Sequence, residues 1–408
     1  METPEVQMGN IGSKWIKHKL TQEVDIYGGL TYSPNDVVNN GTLVLRSSNI
    51  QDNELAFDDN VYVSPLIVNC SNVQVGDIVT VVRNGSRSLL GKHAIIQKEM
   101  PNTVIGAFMS GIRCKDKSSA KFINALLSSR KFYEEINKNL GATINQITIG
   151  TFNSMEFMFP SNAEKKLIGS FFDNIDSMIS TSSKKLMSLK QIKSACLQSM
   201  FPQEGESVPK VRFKGFEDKW KKTPLKSFAH KCIKKNTNRE YDETFTNSAE
   251  LGVISQKDYF DYSISNEDSI NGYYIIEPDD FVYNPRISTS APVGPINRNL
   301  LNRAGIMSPL YFIFSVTGID KSYLSYFFKT NLWHKFMFLN GNTGARFDRL
   351  SITDEMFLEM PICTPPSLEE QQKIAAYFEN LDKQISLQTQ RLEKLKQIKS
   401  ACLDKMFV

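Results

Sequence analysis

Leu189-Lys190-Gln191-Ile192-Lys193-Ser194-Ala195-Cys196-Leu197 recurs unchanged as Leu395-Lys396-Gln397-Ile398-Lys399-Ser400-Ala401-Cys402-Leu403, 206 residues later. The match runs upstream without a gap. Glu164–Phe201 aligns with Glu370–Phe407, and half of the paired residues are identical. One unit is therefore written twice, each copy ending in this stretch. A period this long marks duplicated domains rather than a solenoid.

Both copies read as helix. Seven-residue steps give Ile168, Ile175, Ser182, Leu189 and Cys196, with Phe172, Ile179, Leu186, Lys193 and Met200 beside them. The second copy gives Ile374, Leu381, Gln388, Leu395 and Cys402, with Phe378, Ile385, Leu392, Lys399 and Met406. Apolar spacings of three and four form a coiled-coil seam. Ser182 and Gln388 interrupt it at the same step, a device that costs stability and fixes register. Ser161-x-x-Glu164 and Ser367-x-x-Glu370 precede the helices as capping boxes, and Pro202 stops the first. About 40 residues at roughly 1.5 Å each reach roughly 60 Å, and a stripe of that length needs a partner. The simplest is the other copy. Ile168, Phe172, Ile175, Ile179, Leu186, Leu189 and Ile192 are thus expected to pair the helices or dock a subunit, as are Ile374, Phe378, Leu381, Ile385, Leu392, Leu395 and Ile398.

The rest of each half repeats loosely. Gly12–Leu20 matches Glu217–Leu225 around Trp15 and Trp220, which are expected to anchor each globular part. Strands are predicted at 42–46, 61–63, 75–82, 94–96 and 104–109, and helix over 117–140. A turn at Gly141-Ala142-Thr143 and the alternating Ile144, Ile147 and Ile149 follow. The second half runs in parallel: strands at 279–283 and 309–314, helix over 321–339, a turn at 341–346. The ends match and the middles do not. The reading is α+β: two globular α/β domains related by pseudo-two-fold symmetry, separated by two long antiparallel helices. Expected boundaries are 1–160, 161–202 (helix), 203–215 (linker), 216–362 and 363–408 (helix).

The 408 residues carry a net charge of only +4, weaker than the footprint of a strongly basic nucleic-acid domain. No apolar run is long enough for a membrane span. Met1–Glu5 lacks a signal peptide's basic and apolar regions. Six cysteines without a CxxC pair are expected as reduced thiols in the cytoplasm. Four scattered histidines offer little for zinc. There is no Gly-x-Gly-x-x-Gly, Walker loop or nucleophile elbow. Thr364-Pro365-Pro366-Ser367 lacks the acid or amide and the aromatic of an amino-methyltransferase motif. No metal or catalytic residue is expected.

Two polar loops stand at comparable places. One is Arg83, Asn84, Ser86 and Arg87; the other is Arg286, Ser288, Thr289 and Ser290. Arg46, Ser48 and Asn49 find an approximate counterpart in Gln256 and Lys257, and Lys234, Lys235, Arg239 and Arg298 add charge. These are the groups that bond guanine and adenine edges and phosphates. Taken singly, each reads more readily as a solvated surface loop than as a DNA contact; occurrence in both halves brings the two readings level.

The chain resembles a specificity subunit of type I restriction–modification systems over nearly all its length. The resemblance rests on Pro209-Lys210-Val211-Arg212-Phe213-Lys214-Gly215-Phe216 with Trp220, on the Gly141 and Gly344 turns, on Pro366–Ala375, and on the repeated helix ending. Ser161–Lys166 departs by lacking the Glu-Gln pair. The resemblance implies two target recognition domains, each binding one half of a split, asymmetric double-stranded DNA target. It also implies helices that act as spacer and dock two modification subunits, which bring S-adenosylmethionine and methylate adenine. Restriction (motor-nuclease) subunits would join for cleavage, and this chain would be non-catalytic and hold no cofactor. The alternatives are a self-contained nuclease or methyltransferase, and a duplicated scaffold that binds proteins rather than DNA.

Overall fold

The computed structural model describes residues 14–140, 145–259, 270–343 and 347–407. Gly12, Ser13, the Gly141–Thr143 turn with Ile144, and Gly344–Arg346 lie outside the described residues. Two compact units emerge, one of residues 1–185 with 388–408, the other of 186–387. The long helices run Asn162–Ser199 and Leu368–Met406, and each is divided between the units.

The first unit builds its core where the start of one helix meets the end of the other. Trp15, Phe122, Phe159, Ile168, Phe172, Leu403, Met406 and Phe407 are buried together. The Phe407 ring lies 5.5 Å from Phe122, 6.0 Å from Phe172 and 6.4 Å from Trp15. The helices run antiparallel here: Lys399 Nζ meets Asp176 Oδ1 at 2.5 Å, and Gln388 Nε2 donates to the Ser182 carbonyl at 3.1 Å. Ser182 and Gln388 are buried, so the polar seam step is a specific hydrogen bond that a slipped register would lose. Gly169 answers a close approach. A Cβ there would stand 2.7 Å from the backbone nitrogen of Phe122, whereas the second copy carries Ala375.

A four-stranded antiparallel sheet covers this core. Its order is Val24–Gly28, Met109–Cys114, Ile78–Val81, His93–Ile95. Ile16–Lys19 pairs with Glu156–Phe159. A second sheet orders Thr103–Ile105, Thr42–Leu45, Val61–Val63 and Val37–Val38 over its own apolar clusters. The expected strand over 104–109 is broken: Met109 N donates to Gly106 O at 2.9 Å, turning the chain between the two sheets. The helix expected over 117–140 is two, Ala120–Leu127 and Arg130–Asn139, because Ser129 caps the second by accepting from Phe132 N. Ile149 opens a helix, Ile149–Ser154, rather than alternating in a strand, since Thr148 caps it. His93 is a core residue: Nδ1 donates to Gly91 O at 2.8 Å, and burial pushes its pKa down to about 4.

The second unit repeats the frame and changes the attachments. Phe201 is fully buried beside Trp220, Tyr323, Phe327 and Phe378, as Phe407 is in the first unit. Lys193 Nζ meets Asp382 Oδ1 at 2.5 Å, mirroring Lys399 and Asp176. The four-stranded sheet orders Ala229–Lys231, Phe312–Val316, Phe281–Tyr283, Ile296–Arg298, with Lys221–Pro224 paired to Pro361–Thr364. In place of the other sheet stand two antiparallel pairs, Phe245–Ser248 with Gly252–Ser255 and Tyr274–Ile276 with Gly305–Met307. The helix expected over 321–339 is again two, Lys321–Phe327 and His334–Asn340.

The α+β class stands, with two units and long helices paired antiparallel within each. The capping serines accept as expected, Ser161 Oγ from Glu164 N and Ser367 Oγ from Glu370 N, both at 3.4 Å. The two glutamates differ. Glu164 accepts from Trp15 Nε1 at 3.2 Å, whereas Glu370 is clasped by Arg212 at 2.7 and 2.9 Å. Ile168, Phe172, Ile175 and Leu189 are buried, as are Ile374, Phe378, Leu381 and Leu392, while Ile179, Leu186, Ile385 and Leu395 are half-buried. Ile192 and Ile398 are outside the seam, 43% and 42% exposed.

Candidate nucleic-acid interface

The shared sheet positions both polar loops. In the first unit the strand Ile78–Val81 runs out into Arg83–Arg87. Ile147 N donates to Val82 O at 2.8 Å, and Arg83 forms a β-bridge with Gln146. In the second unit Leu350 N donates to Pro285 O at 2.9 Å, and Arg286 bridges to Arg349. Each loop is thus clamped by the segment that follows the unit's helices. Both then use the same turn chemistry: Asn84 Oδ1 accepts from Ser86 N, and Asn284 Oδ1 from Arg286 N, each at 3.0 Å. These Asx turns fix the backbone and leave the following side chains outward.

What they present differs. Arg83, Ser86 and Arg87 are exposed; Ser86 Oγ meets Ser88 Oγ at 2.8 Å and Arg87 Nη2 donates to Asn137 Oδ1 at 3.3 Å. The Arg83 guanidinium lies 5.3 Å from the centre of the Phe108 ring. In the second loop Arg286 lies 3.8 Å from Asp348, Ser288 Oγ meets Ser290 Oγ at 3.2 Å, and Thr289 is exposed.

The remaining candidates separate by orientation. Ser48 and Lys257 are exposed. Lys234 lies 3.5 Å from Glu240, Lys235 stands 6.0 Å from the Tyr274 ring centre, and Arg239 Nε donates to Asn271 Oδ1 at 2.8 Å. Arg46 pairs with Asp59 at 2.8 Å. Asn49 turns inward: it is fully buried, accepts from Arg46 N and donates to Ala56 O and Asp59 O. Arg298 is also turned in, its side chain 14% exposed between Asp279 and Ser322. Gln256 is half-buried, with its Oε1 enclosed. An asparagine beside two serines looks the same in sequence whether it braces a turn or faces solvent, and burial decides. Phe108, Asn145 and Phe347 join the loops without having been singled out. Asn145 Nδ2 donates to Gly85 O at 3.2 Å, and Phe347 is 84% exposed beside Asp348. Only their place next to the repeated Gly turns or the Gly106 turn could have marked them.

Among the described residues no cluster of His, Cys, Asp and Glu could hold a metal, and no helix is long and apolar enough to cross a membrane.

A family model described as the type I restriction modification DNA specificity domain matches residues 12–191 and again 217–397. The chain is 25% identical over 191 residues to the StySPI specificity subunit of Salmonella potsdam and 24% identical over 191 residues to the EcoKI specificity subunit of Escherichia coli K12. Each alignment spans 45% of this chain and 41% of the relative. In fold it is similar, at a TM-score of 0.65 and 14% identity, to the S subunit of a type I restriction–modification system from M. genitalium, over 100% of this chain and 99% of that one. A chain from a structure of type I complex assembly aligns at a TM-score of 0.51 and 15% identity, over 96% and 97%. The duplication found in the nine-residue repeat is thus a duplication of that specificity domain, and the chain belongs to the type I restriction–modification DNA specificity family.

Proposed function

We propose that this chain is the non-catalytic, cytoplasmic DNA-reading subunit of a type I restriction–modification complex. Each unit reads one half of a bipartite, asymmetric duplex target. Residues 1–160 and 216–362 form the recognition domains, 161–202 and 363–408 the helices, and 203–215 the linker between the two halves. The observation that carries this reading is the pair of loops on one shared sheet frame. Both are clamped by the same β-bridge and Asx turn, yet they offer different side chains. A common scaffold with unlike reading groups is what an asymmetric target requires. The proposed contact set is Arg83, Ser86, Arg87, Arg286, Ser288, Thr289 and Ser290, with Ser48, Lys234, Lys235, Arg239 and Lys257 at the backbone. Asn49, Gln256 and Arg298 brace the fold. Arg46, held by Asp59, and Asn84, held in its turn, position their neighbours.

Two modification subunits would dock on the helices, with restriction subunits joining for cleavage. Ile192 and Ile398 support this: they occupy the same step of both copies, and both are exposed. S-adenosylmethionine would be bound by the modification subunits.

The test is single-molecule sequencing of methylated adenines in cells carrying the modification subunits with and without this chain. One split, asymmetric motif should appear only with it, and replacing Arg83–Arg87 should alter one half only. The opposite result, DNA affinity that is absent or insensitive to salt in the full complex, favours the protein-binding scaffold.

A further inference from the structure

In the first unit, Arg83 and Phe108 form a pair that, among the described residues, has no counterpart at Arg286 in the second loop. Phe108 sits in the turn that breaks the chain between the two sheets, and its carbonyl accepts from both Val82 N (3.0 Å) and Arg83 N (3.2 Å). The two residues are therefore fixed to one another through backbone, not through mobile side chains. Their side chains nonetheless point into solvent: Arg83 is exposed and the Phe108 ring is 57% exposed. Among the described residues no carboxylate pairs with Arg83, while Arg46, Arg113, Arg212, Arg286 and Arg303 each have one. Its guanidinium lies instead by the Phe108 ring, 5.3 Å from the ring centre.

A guanidinium held near a ring by its charge spends no N–H donor on that contact, and among the described residues no hydrogen bond is made by the Arg83 side chain, so its planar fork of five donors remains available. That fork matches the O6 and N7 of guanine. A half-exposed phenylalanine ring beside it offers what a phosphate does not want and a major groove does contain, the C5-methyl of thymine. Groups centred 5.3 Å apart are close enough to reach adjacent base pairs, which stack about 3.4 Å apart.

Resting on the reading of the chain as a DNA-specificity subunit, we propose that Arg83 and Phe108 together read a thymine–guanine neighbour pair in the half-site of the first unit. Arg83 takes the guanine edge and Phe108 the thymine methyl. Arg286, drawn toward Asp348, has its charge partly answered within the protein, so the second half-site carries no equivalent step.

The experiment uses the full chain with its modification subunits. The methylated motif of the wild type is read first, then those of Phe108→Ala, Phe108→Leu and Arg83→Lys. Phe108→Ala should relax one thymine of one half-site by about tenfold in occupancy of the non-cognate base, the order expected for one mismatched pair. Phe108→Leu, which keeps an apolar group, should retain the preference. Arg83→Lys should relax the adjoining guanine. The second half-site stays as it was in all three. A duplex carrying deoxyuridine for that thymine, which removes the methyl alone, should bind the wild-type complex more weakly and the Phe108→Ala complex unchanged. A wild-type motif without thymine beside guanine, a Phe108→Ala motif identical to wild type, or equal binding of thymine and deoxyuridine duplexes by the wild type overturns the proposal. A wild-type complex that writes no motif instead overturns the reading on which it rests.

Discussion

Asp77 and Asp280 stand at the same point of the two units, one residue before the strands Ile78–Val81 and Phe281–Tyr283. Each carboxylate accepts the backbone N–H three residues earlier, Asp77 from Gln74 and Asp280 from Glu277, both at 2.9 Å. Both are buried. From there they diverge. Asp77 is held by Arg113 at 2.9 and 2.7 Å and by the Tyr27 hydroxyl at 2.7 Å. Asp280 meets the Cys232 thiol, 3.7 Å away, and burial raises its pKa. The turn is common to both copies and needs the acid; the countercharge belongs to neighbouring strands that have drifted apart. One buried acid is a paired anion, the other an anion its surroundings disfavour.

Removing the countercharge breaks the comparison most severely. Arg113→Ala leaves Asp77, whose side chain is 2% exposed, without its cation. Breaking such a pair costs about 3 kcal/mol or more. Urea unfolding of the full chain should show the first unit's transition moved to lower denaturant and the second unit's unmoved. A shift below about 1 kcal/mol would show that the turn amide alone satisfies the acid. Tyr27→Phe is the milder version. It deletes one hydrogen bond to a charged acceptor, worth about 1.5 kcal/mol, and the same measurement should place it between Arg113→Ala and wild type.

The repeat made the helices, their caps and the polar seam step legible, because Ser182 and Gln388 stand at matched positions whose spacing alone carries the geometry. The frame of each unit was legible for the same reason. The breaks at Ser129 and Gly106 were not, since a serine cap or a glycine turn inside an apolar run competes with continued helix or strand by only about 1 kcal/mol. Ile192 and Ile398 stand three residues after Leu189 and Leu395, where the seam's alternation takes a step of four to Lys193 and Lys399, so they fall beside the seam rather than in it. In the loops, Arg83 and Arg87 were identifiable by type. The inward turn of Asn49 and Arg298 was not, because it depends on Ala56, Asp59 and Ser322, partners set by tertiary contacts.

The smallest expected effect sharpens the comparison from the other side. Burial raises the Asp280 pKa above its ordinary 3.8, so the folded chain holds that proton more tightly than the unfolded chain does. The sign follows from linkage. Below about pH 3.8 both states are protonated and the group contributes no penalty. As pH rises toward the folded pKa the unfolded chain releases its proton first, stability falls, and above the folded pKa the penalty is complete. Asp280→Asn keeps an oxygen for Glu277 N and removes the charge. At pH 7 it should change stability by less than about 1 kcal/mol, with any change toward greater stability. The difference from wild type should shrink as the pH is lowered toward 4. Asp77→Asn, which discards a paired anion beside Arg113, should destabilise under the same conditions. Unfolding both variants at pH 7 and again near pH 4 decides the matter: two losses of equal size at pH 7 would mean that Asp280 is as well matched as Asp77, and that the two turns differ in their neighbours but not in their electrostatics.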